Sequence, residues 1–524
     1  MQFNVYGLRS LVIPLLLVTG AAVAEAADAR PSEPTVVESE AATARVMEGI
    51  SSDPQRLEIF LHAMPKGGDL HMHLAGAVAA ERMIGWAAAD HLCVDRVSLT
   101  LVKPPCQGPD AVLVEEAIGD ENFYHRLIDV MSMRDFVPGA QSGHDHFFDS
   151  FLHFQAVDHD HAGDMVAEVA AQAAAEHVQY LEVMISPQMP AAIAAGRQVS
   201  AAGDDFQGLE RQLAEPIEGV LGKANADLAA IESQKDRALK CGTSAATAGC
   251  QVTIRYLAQV LRSKAPAQVF AQDLLAFRLA ESNPLVVGIN LVQPEDDRRV
   301  LTDYALQMRQ LSWLHERHPA VKQTLHAGEL ALGLVPPSDL RFHIKQAVEV
   351  AGALRIGHGV DLVHEDDASG LLQRMARDHV MVEINLTSNA QILGVQGAEH
   401  PFMTYRAYGV PVALSSDDQG VSRIDLTHEY VRAVTTYHVG YAELKDLSRN
   451  SLEYAFLSGP SLWRSVAPYR AVAACAEDLQ APGCVAFLKT GAKARVQASL
   501  EAAYREFEAS VAGGSLRTYG TVRK

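Results

Sequence analysis

Eight short apolar runs punctuate this chain, and their spacing predicts its architecture. They cover residues 67–74, 178–186, 252–261, 286–293, 321–329, 355–360, 381–388 and 411–418. Continuous apolar runs of this length, bounded by turn residues, read as strands of a buried parallel sheet. Between most of them, stretches such as 164–177, 302–316, 340–353 and 368–378 read as helices. Strands alternating with helices predict an α/β fold, a (β/α)8 TIM barrel. An open doubly wound sheet is disfavoured, because no Gly-x-Gly-x-x-Gly turn follows the first run. The barrel is assigned to residues 61–513. Two insertions interrupt it, at about 92–145 after strand one and about 190–251 between strands two and three. The second holds a long charged helix over 206–239. Neither insertion offers catalytic chemistry, and both are expected on the surface. Residues 41–63 predict an N-terminal helical arm, and 425–513 predict further helices.

The first residues change the picture. Arg9 precedes the apolar run from Leu11 to Val18, and small residues follow, with Ala24-Glu25-Ala26 as a cleavage site. This is the pattern of an export signal, assigned to residues 1–26. The run is short for a membrane span, which needs ~20 residues, so no membrane association is expected after cleavage. Residues 27–40 are rich in Ala, Pro, Ser and Glu and read as a disordered linker into the helical arm, which ends near residue 60. The six cysteines fall in three close pairs, Cys93 with Cys106, Cys241 with Cys250, and Cys475 with Cys484. Proximity favours these three bridges, the last in a loop, and bridges suit an oxidising compartment, periplasmic or extracellular. Net charge is −20 over 524 residues, from 44 basic and 64 acidic side chains. Such a surface repels phosphate backbones, so nucleic acid is not expected as a partner.

The candidate chemistry sits at the ends of the runs. His71 and His73 are two apart on strand one, so their imidazoles face the same space. His326 ends strand five, and Asp417 ends strand eight, which barrel closure brings beside strand one. Active sites of such barrels lie at the carboxyl ends of the strands. Three or four N/O ligands with one open position make a mononuclear zinc site. Strand four carries no lysine, the residue that bridges two metals in binuclear members of the metal-dependent hydrolase superfamily these motifs resemble, and that resemblance implies one ion per chain. Glu329, three residues after His326, is placed as a general acid/base. His358 ends strand six between Gly357 and Gly359, which leave room for a close ligand. Asp418 either contacts a substrate ring or caps a helix after strand eight. His144-Asp145-His146 and His159-Asp160-His161 also spell His-x-His but fall outside the strands, and they read as polar segments. His343 and His364 read as ordinary histidines without partners. Gly420 reads as a turn.

These motifs resemble the adenosine deaminase family. Met64-Pro65-Lys66 with His71-Met72-His73, Leu325-His326-Ala327-Gly328-Glu329, Arg355-Ile356-Gly357-His358-Gly359 and Ser416-Asp417-Asp418 match it in order and spacing over roughly 60–460. The signal peptide, the cysteine-containing insertion and Phe123-Tyr124 with Met131–Phe136 and Phe147-Phe148 resemble its secreted, growth-factor-like members. The resemblance implies a zinc barrel that hydrolyses the 6-amino group of adenosine or 2′-deoxyadenosine, giving inosine or 2′-deoxyinosine and ammonia. His71, His73, His326 and Asp417 would bind zinc, Glu329 would protonate ring N1, His358 would assist the nucleophile, and Asp418 would contact N7. It also implies a homodimer through residues 41–63. Two departures lie in the substrate pocket: Leu74-Ala75-Gly76 where an acidic residue usually holds the ribose, and Gln293 where strand four usually ends in glycine. They leave open another aminopurine or modified nucleoside as substrate. A secreted binding protein on a dead barrel would have lost ligands, and here the set is complete.

Overall fold

The computed structural model describes residues 36–158 and 160–514. The expected signal peptide, the linker as far as residue 35, and His159 lie outside the described residues. The chain enters through two helices, Val36–Ile50 and Pro54–Ala63; the patterning of 41–63 anticipates them, but residues 36–40, expected in the disordered linker, already belong to the first helix. The second starts on Pro54 after Asp53, whose side chain accepts the Arg56 N–H and caps the helix.

All eight predicted strands form. They are β1 (Gly67–His73), β2 (Val178–Ile185), β3 (Thr253–Leu261), β4 (Val286–Val292), β5 (Thr324–Ala327), β6 (Arg355–His358), β7 (Met381–Ile384) and β8 (Val412–Leu414). β1 to β4 pair in order as one parallel sheet, and β5 to β8 as another. Single parallel bridges join the two sheets at both seams, Ile289 to Gln323 and Met72 to Asp417. The arrangement is consistent with the expected (β/α)8 barrel. Helices return between strands, among them Ala162–Ala175, Arg298–Arg317 and Ala368–Asp378. None of the described helices is long and apolar enough to cross a membrane.

Several expected elements differ in detail. The run 381–388 is not one strand: β7 stops at Ile384, and Leu386–Leu393 is a helix. Val382, Ile384 and Leu386 alternate with Glu383, Asn385 and Thr387 across the boundary, so alternation alone cannot mark the change of period. The expected helix 340–353 divides into a turn at Pro337–Leu340, a helix at His343–Gln346 and a π turn at Ala347–Ala351, closed by Gly352 at φ 75°. The long charged helix spans Phe206–Leu239, as patterned. The three bridges Cys93–Cys106, Cys241–Cys250 and Cys475–Cys484 form. The last is not in a plain loop, because Cys484 lies in the helix Pro482–Leu488. The first insertion is more than a free surface. Met133 N–H donates to Val421 O, beyond β8, and His144 Nε2 lies 3.0 Å from Asp296 Oδ1, beyond β4. It is docked on loops that follow the strands.

Candidate metal and active site

All seven sequence-predicted residues meet at the carboxyl ends of the strands. His71 and His73 lie on β1, His326 on β5 and His358 on β6; Glu329 follows β5, and Asp417 and Asp418 follow β8. Nε2 of His326 is 3.1 Å from Nε2 of His71 and 3.2 Å from Nε2 of His73. Asp417 Oδ1 is 3.5 Å and 3.4 Å from those two nitrogens. His358 Nε2 stands 3.8 Å from Asp417 Oδ2. Donor atoms of His71, His326, His358 and Asp417 all lie within 4.8 Å of one another, and those of His73, Asp417 and Asp418 form an overlapping set.

The backbone that delivers these groups is constrained. Asp417 (φ 60°) and His358 (φ 70°) occupy the left-handed region, which costs a non-glycine residue of order 1–2 kcal/mol. Asp417 is pinned there by the seam: its N–H donates to His71 O and its carbonyl accepts the His73 N–H. Two glycines make room. A Cβ on Gly357 would sit 2.6 Å from His71 Cε1, and one on Gly76 would sit 1.8 Å from Asp418 Oδ1.

The far sides of the rings decide what the near sides can do. His71 Nδ1 is 2.7 Å from Glu383 Oε2, His73 Nδ1 is 2.9 Å from Gln259 Oε1, and His326 Nδ1 is 2.9 Å from Asn290 Oδ1. Asn290 Oδ1 also accepts the backbone N–H of His326, so it is the oxygen and not the amide nitrogen. Each Nδ1 therefore carries a proton outward, and each neutral ring turns an Nε2 lone pair inward, beside a carboxylate. Lone pairs at this spacing repel unless a cation lies among them, and the set of three imidazoles and one carboxylate suits zinc. Without metal a proton takes that part. Burial opposes charge on His71, but hydrogen bonds to Asp417 and Glu383 raise it to about 10. Burial lowers His73, and it holds His326 well below the usual range.

Below the histidines lies a buried charged stack. Arg355 donates through Nε to Glu383 Oε1 and through Nη2 to Glu182 Oε2, each at 2.6 Å, and Thr324 donates to the same Glu383 oxygen. All three charged side chains are buried. Glu383 is held down at about 2, burial notwithstanding, by Arg355 and His71. Beside the site, Glu295 accepts the backbone N–H groups of Gly328 and Glu329 and is 2.6 Å from His343 Nδ1. This corrects the reading of His343 as partnerless: it is fully buried, paired with Glu295 and stacked on Tyr304. No pattern in the sequence singles out Glu295. Glu383 and Glu182 left a signal, a charge inside an otherwise apolar run.

Two carboxyls at the site are pushed upward. Burial and the nearby Asp417 charge raise Glu329 to about 8. Burial, then Asp417, holds Asp418 well above the carboxylate range. Asp418 occupies the position before the helix Gln419–Ser422, yet its side chain makes no capping bond and its Oδ1 is buried without a partner. That removes the capping alternative. Gln293, at φ 88°, keeps the backbone form that favours glycine, and its side chain is drawn back by Ser263, whose N–H and Oγ donate to Oε1. His144 and His146 lie in the helix Gly143–Asp158, in polar contacts with Asp296, Asp145 and Gln141.

The model of the adenosine deaminase family matches residues 134–462, more than half of the chain. The chain belongs to the adenosine deaminase family. His71 and His73 precede the matched segment and join the site through the fold. Adenosine deaminases of Aliivibrio fischeri and Shewanella loihica are 37% and 38% identical to it over 139 and 136 residues. Each match covers 26% of this chain and 38% of the relative, so the chain spans about two fifths of the length of these curated relatives. Among solved structures, Arabidopsis ADAL complexed with IMP matches with a TM-score of 0.52 at 18% identity, covering 85% of this chain and 99% of that one. A Burkholderia ambifaria amidohydrolase with bound Zn matches at 0.50 and 16%, covering 87% and 95%. At these identities the likeness is one of fold, and it is consistent with the expected architecture for this member of the adenosine deaminase family.

Proposed function

We propose that this chain is an exported, zinc-dependent adenosine deaminase on a (β/α)8 barrel. The observation that carries the reading is the inward turn of three Nε2 lone pairs onto one carboxylate, beside the buried carboxyl of Glu329. His71, His73, His326 and Asp417 would hold one zinc ion, which supplies Lewis acidity and so a hydroxide-like nucleophile near pH 7. The overall exchange forms a C6–O bond, breaks the C6–N6 bond and sends a proton to the leaving ammonia. Glu329, raised to about 8, donates its proton to ring N1 as charge builds there. Asp418, also held neutral, donates to N7, an atom that only accepts. His358, whose Nε2 stands 3.8 Å from Asp417 Oδ2, steadies the incoming oxygen. Export is supported by residues 1–26 and by three disulfides in one chain.

Gln293 and Ala75 favour a second reading, in which another aminopurine or modified nucleoside is the substrate. The test follows the ultraviolet spectrum of adenosine with purified mature protein, with and without chelator, and with Glu329→Gln. A chelator-sensitive shift to the inosine spectrum, lost in Glu329→Gln, is expected. No shift with stoichiometric zinc present overturns the adenosine assignment, and turnover of another amino-bearing purine then establishes the second reading.

A further inference from the structure

His358 differs from the other three histidines in what lies behind it. Its Nδ1 faces an amide nitrogen, Nδ2 of Asn389 at 2.9 Å, where the others face oxygens. That orientation is fixed by a chain of bonds that starts at the backbone. The N–H of Phe402 can only donate, and it reaches His400 Nδ1 at 3.1 Å. His400 Nδ1 therefore bears no proton, and the ring carries its proton on Nε2. That nitrogen is 3.0 Å from Asn389 Oδ1 and donates to it. With its oxygen engaged by His400, Asn389 must turn its NH2 toward His358, and an NH2 only donates. The amide and tautomer assignments thus follow from an obligatory backbone donor, and no choice remains in them.

We propose that His400 and Asn389 form a relay that locks His358 as the tautomer with its proton on Nε2, so both are positioning residues for the reaction proposed above. Two further groups approach the ring: Glu329 Oε1 stands 3.6 Å from Nδ1, farther than the Asn389 amide, and Asn385 lies 3.4 Å from one ring nitrogen and 3.5 Å from the other and selects neither. All three members of the relay are buried, so water does not compete for these bonds. Burial also keeps the His400 ring neutral, lowering it to about 4.

The consequence concerns the metal. A nitrogen that carries a proton has no lone pair to give. Although His358 Nε2 lies within the cluster of donor atoms, the relay bars it from ligation and leaves His73 as the third imidazole. The site then uses two tautomers, three rings presenting lone pairs and one presenting an N–H. That N–H is free to donate to an oxygen bound near Asp417, which a ligand nitrogen could not do.

Long-range proton–nitrogen spectra of the full chain labelled with 15N-histidine test the relay without reference to any substrate. His358→Gln assigns the His358 signals. The wild type is expected to show the Nε2–H form at His358. Asn389→Asp, whose carboxylate can only accept, is expected to move it to the Nδ1–H form. His400→Phe, which frees the amide to turn over, is expected to give a mixture. Kinetics form the second arm, run with whichever purine the chain turns over. Asn389→Asp is expected to lower kcat by about 10²- to 10⁴-fold, with zinc content and KM near wild type. In a His358→Gln background the same change is expected to alter kcat by less than about twofold. An Nδ1–H signal in the wild type overturns the proposal, as does an equal loss of kcat in both backgrounds. If the chain deaminates nothing, the proposed function fails, and the spectra still decide the relay.

Discussion

Glu383 is the residue through which the barrel floor reaches the proposed metal. One oxygen orients His71 and the other accepts from Arg355 and Thr324. Glu383→Gln keeps the shape and removes the charge. Its two charge-assisted bonds are worth roughly 1.5–3 kcal/mol each, and breaking one side of a buried ion pair costs about 3–5 kcal/mol. Arg355 keeps Glu182, so the lower part of that range, about 3 kcal/mol, is expected in urea unfolding of the metal-free protein. Removal of the partner that orients a metal-binding imidazole weakens affinity by about 10- to 100-fold. Competition with a chromogenic chelator measures this directly, as a zinc Kd raised by one to two decades. Loss of stability with a wild-type zinc Kd would show that the stack supports the barrel and not the ligand. If neither quantity moved, the reasoning about the stack would be wrong.

Burial raises Glu429 to about 7, against the backbone N–H of Thr387 and the Arg432 charge that favour its ionised form. A carboxyl raised on folding contributes most below its unfolded value near 4.5, and that contribution is lost as pH rises through about 7. Glu429→Gln is therefore expected to gain about 2.5 kcal/mol relative to wild type between pH 5 and pH 8, read from urea midpoints; no pH dependence in the difference would refute this. The Cys475–Cys484 bridge, with a sequence separation of 9, constrains a short loop. Replacing both cysteines with serine is expected to cost about 2–3 kcal/mol in unfolding free energy, and unchanged stability would locate that segment outside the cooperative unit.

The eight strands were legible because runs buried on both faces leave continuous apolar stretches. The seven site residues were legible because each interrupts or ends such a run with a group that has no packing reason to be there. What supports them was not. Gln259, Asn290, Asn389 and His400 look like ordinary polar residues until the fold pairs them with rings far along the chain. His343 shows the same limit, since its partner Glu295 lies 48 residues away. Where the backbone changed period while the alternation of apolar and polar residues ran on, from Ile384 through Asn385 to Leu386, the boundary was invisible. Gln293 was legible as a departure, but not its retention of the backbone form that suits glycine.

The seam between β8 and β1 also sets an order of events during biosynthesis. His71 and His73 belong to the first strand to be made, and Asp417 follows the last. Until β8 docks, the proposed ligand set is short of its only carboxylate, and a nascent chain presents a pair of histidines with modest affinity. Full affinity arrives only when the ends of the barrel meet, so ion capture reports completion of the fold. An ion bound there ties the first strand to the last, and the same event that arms the site clasps the seam.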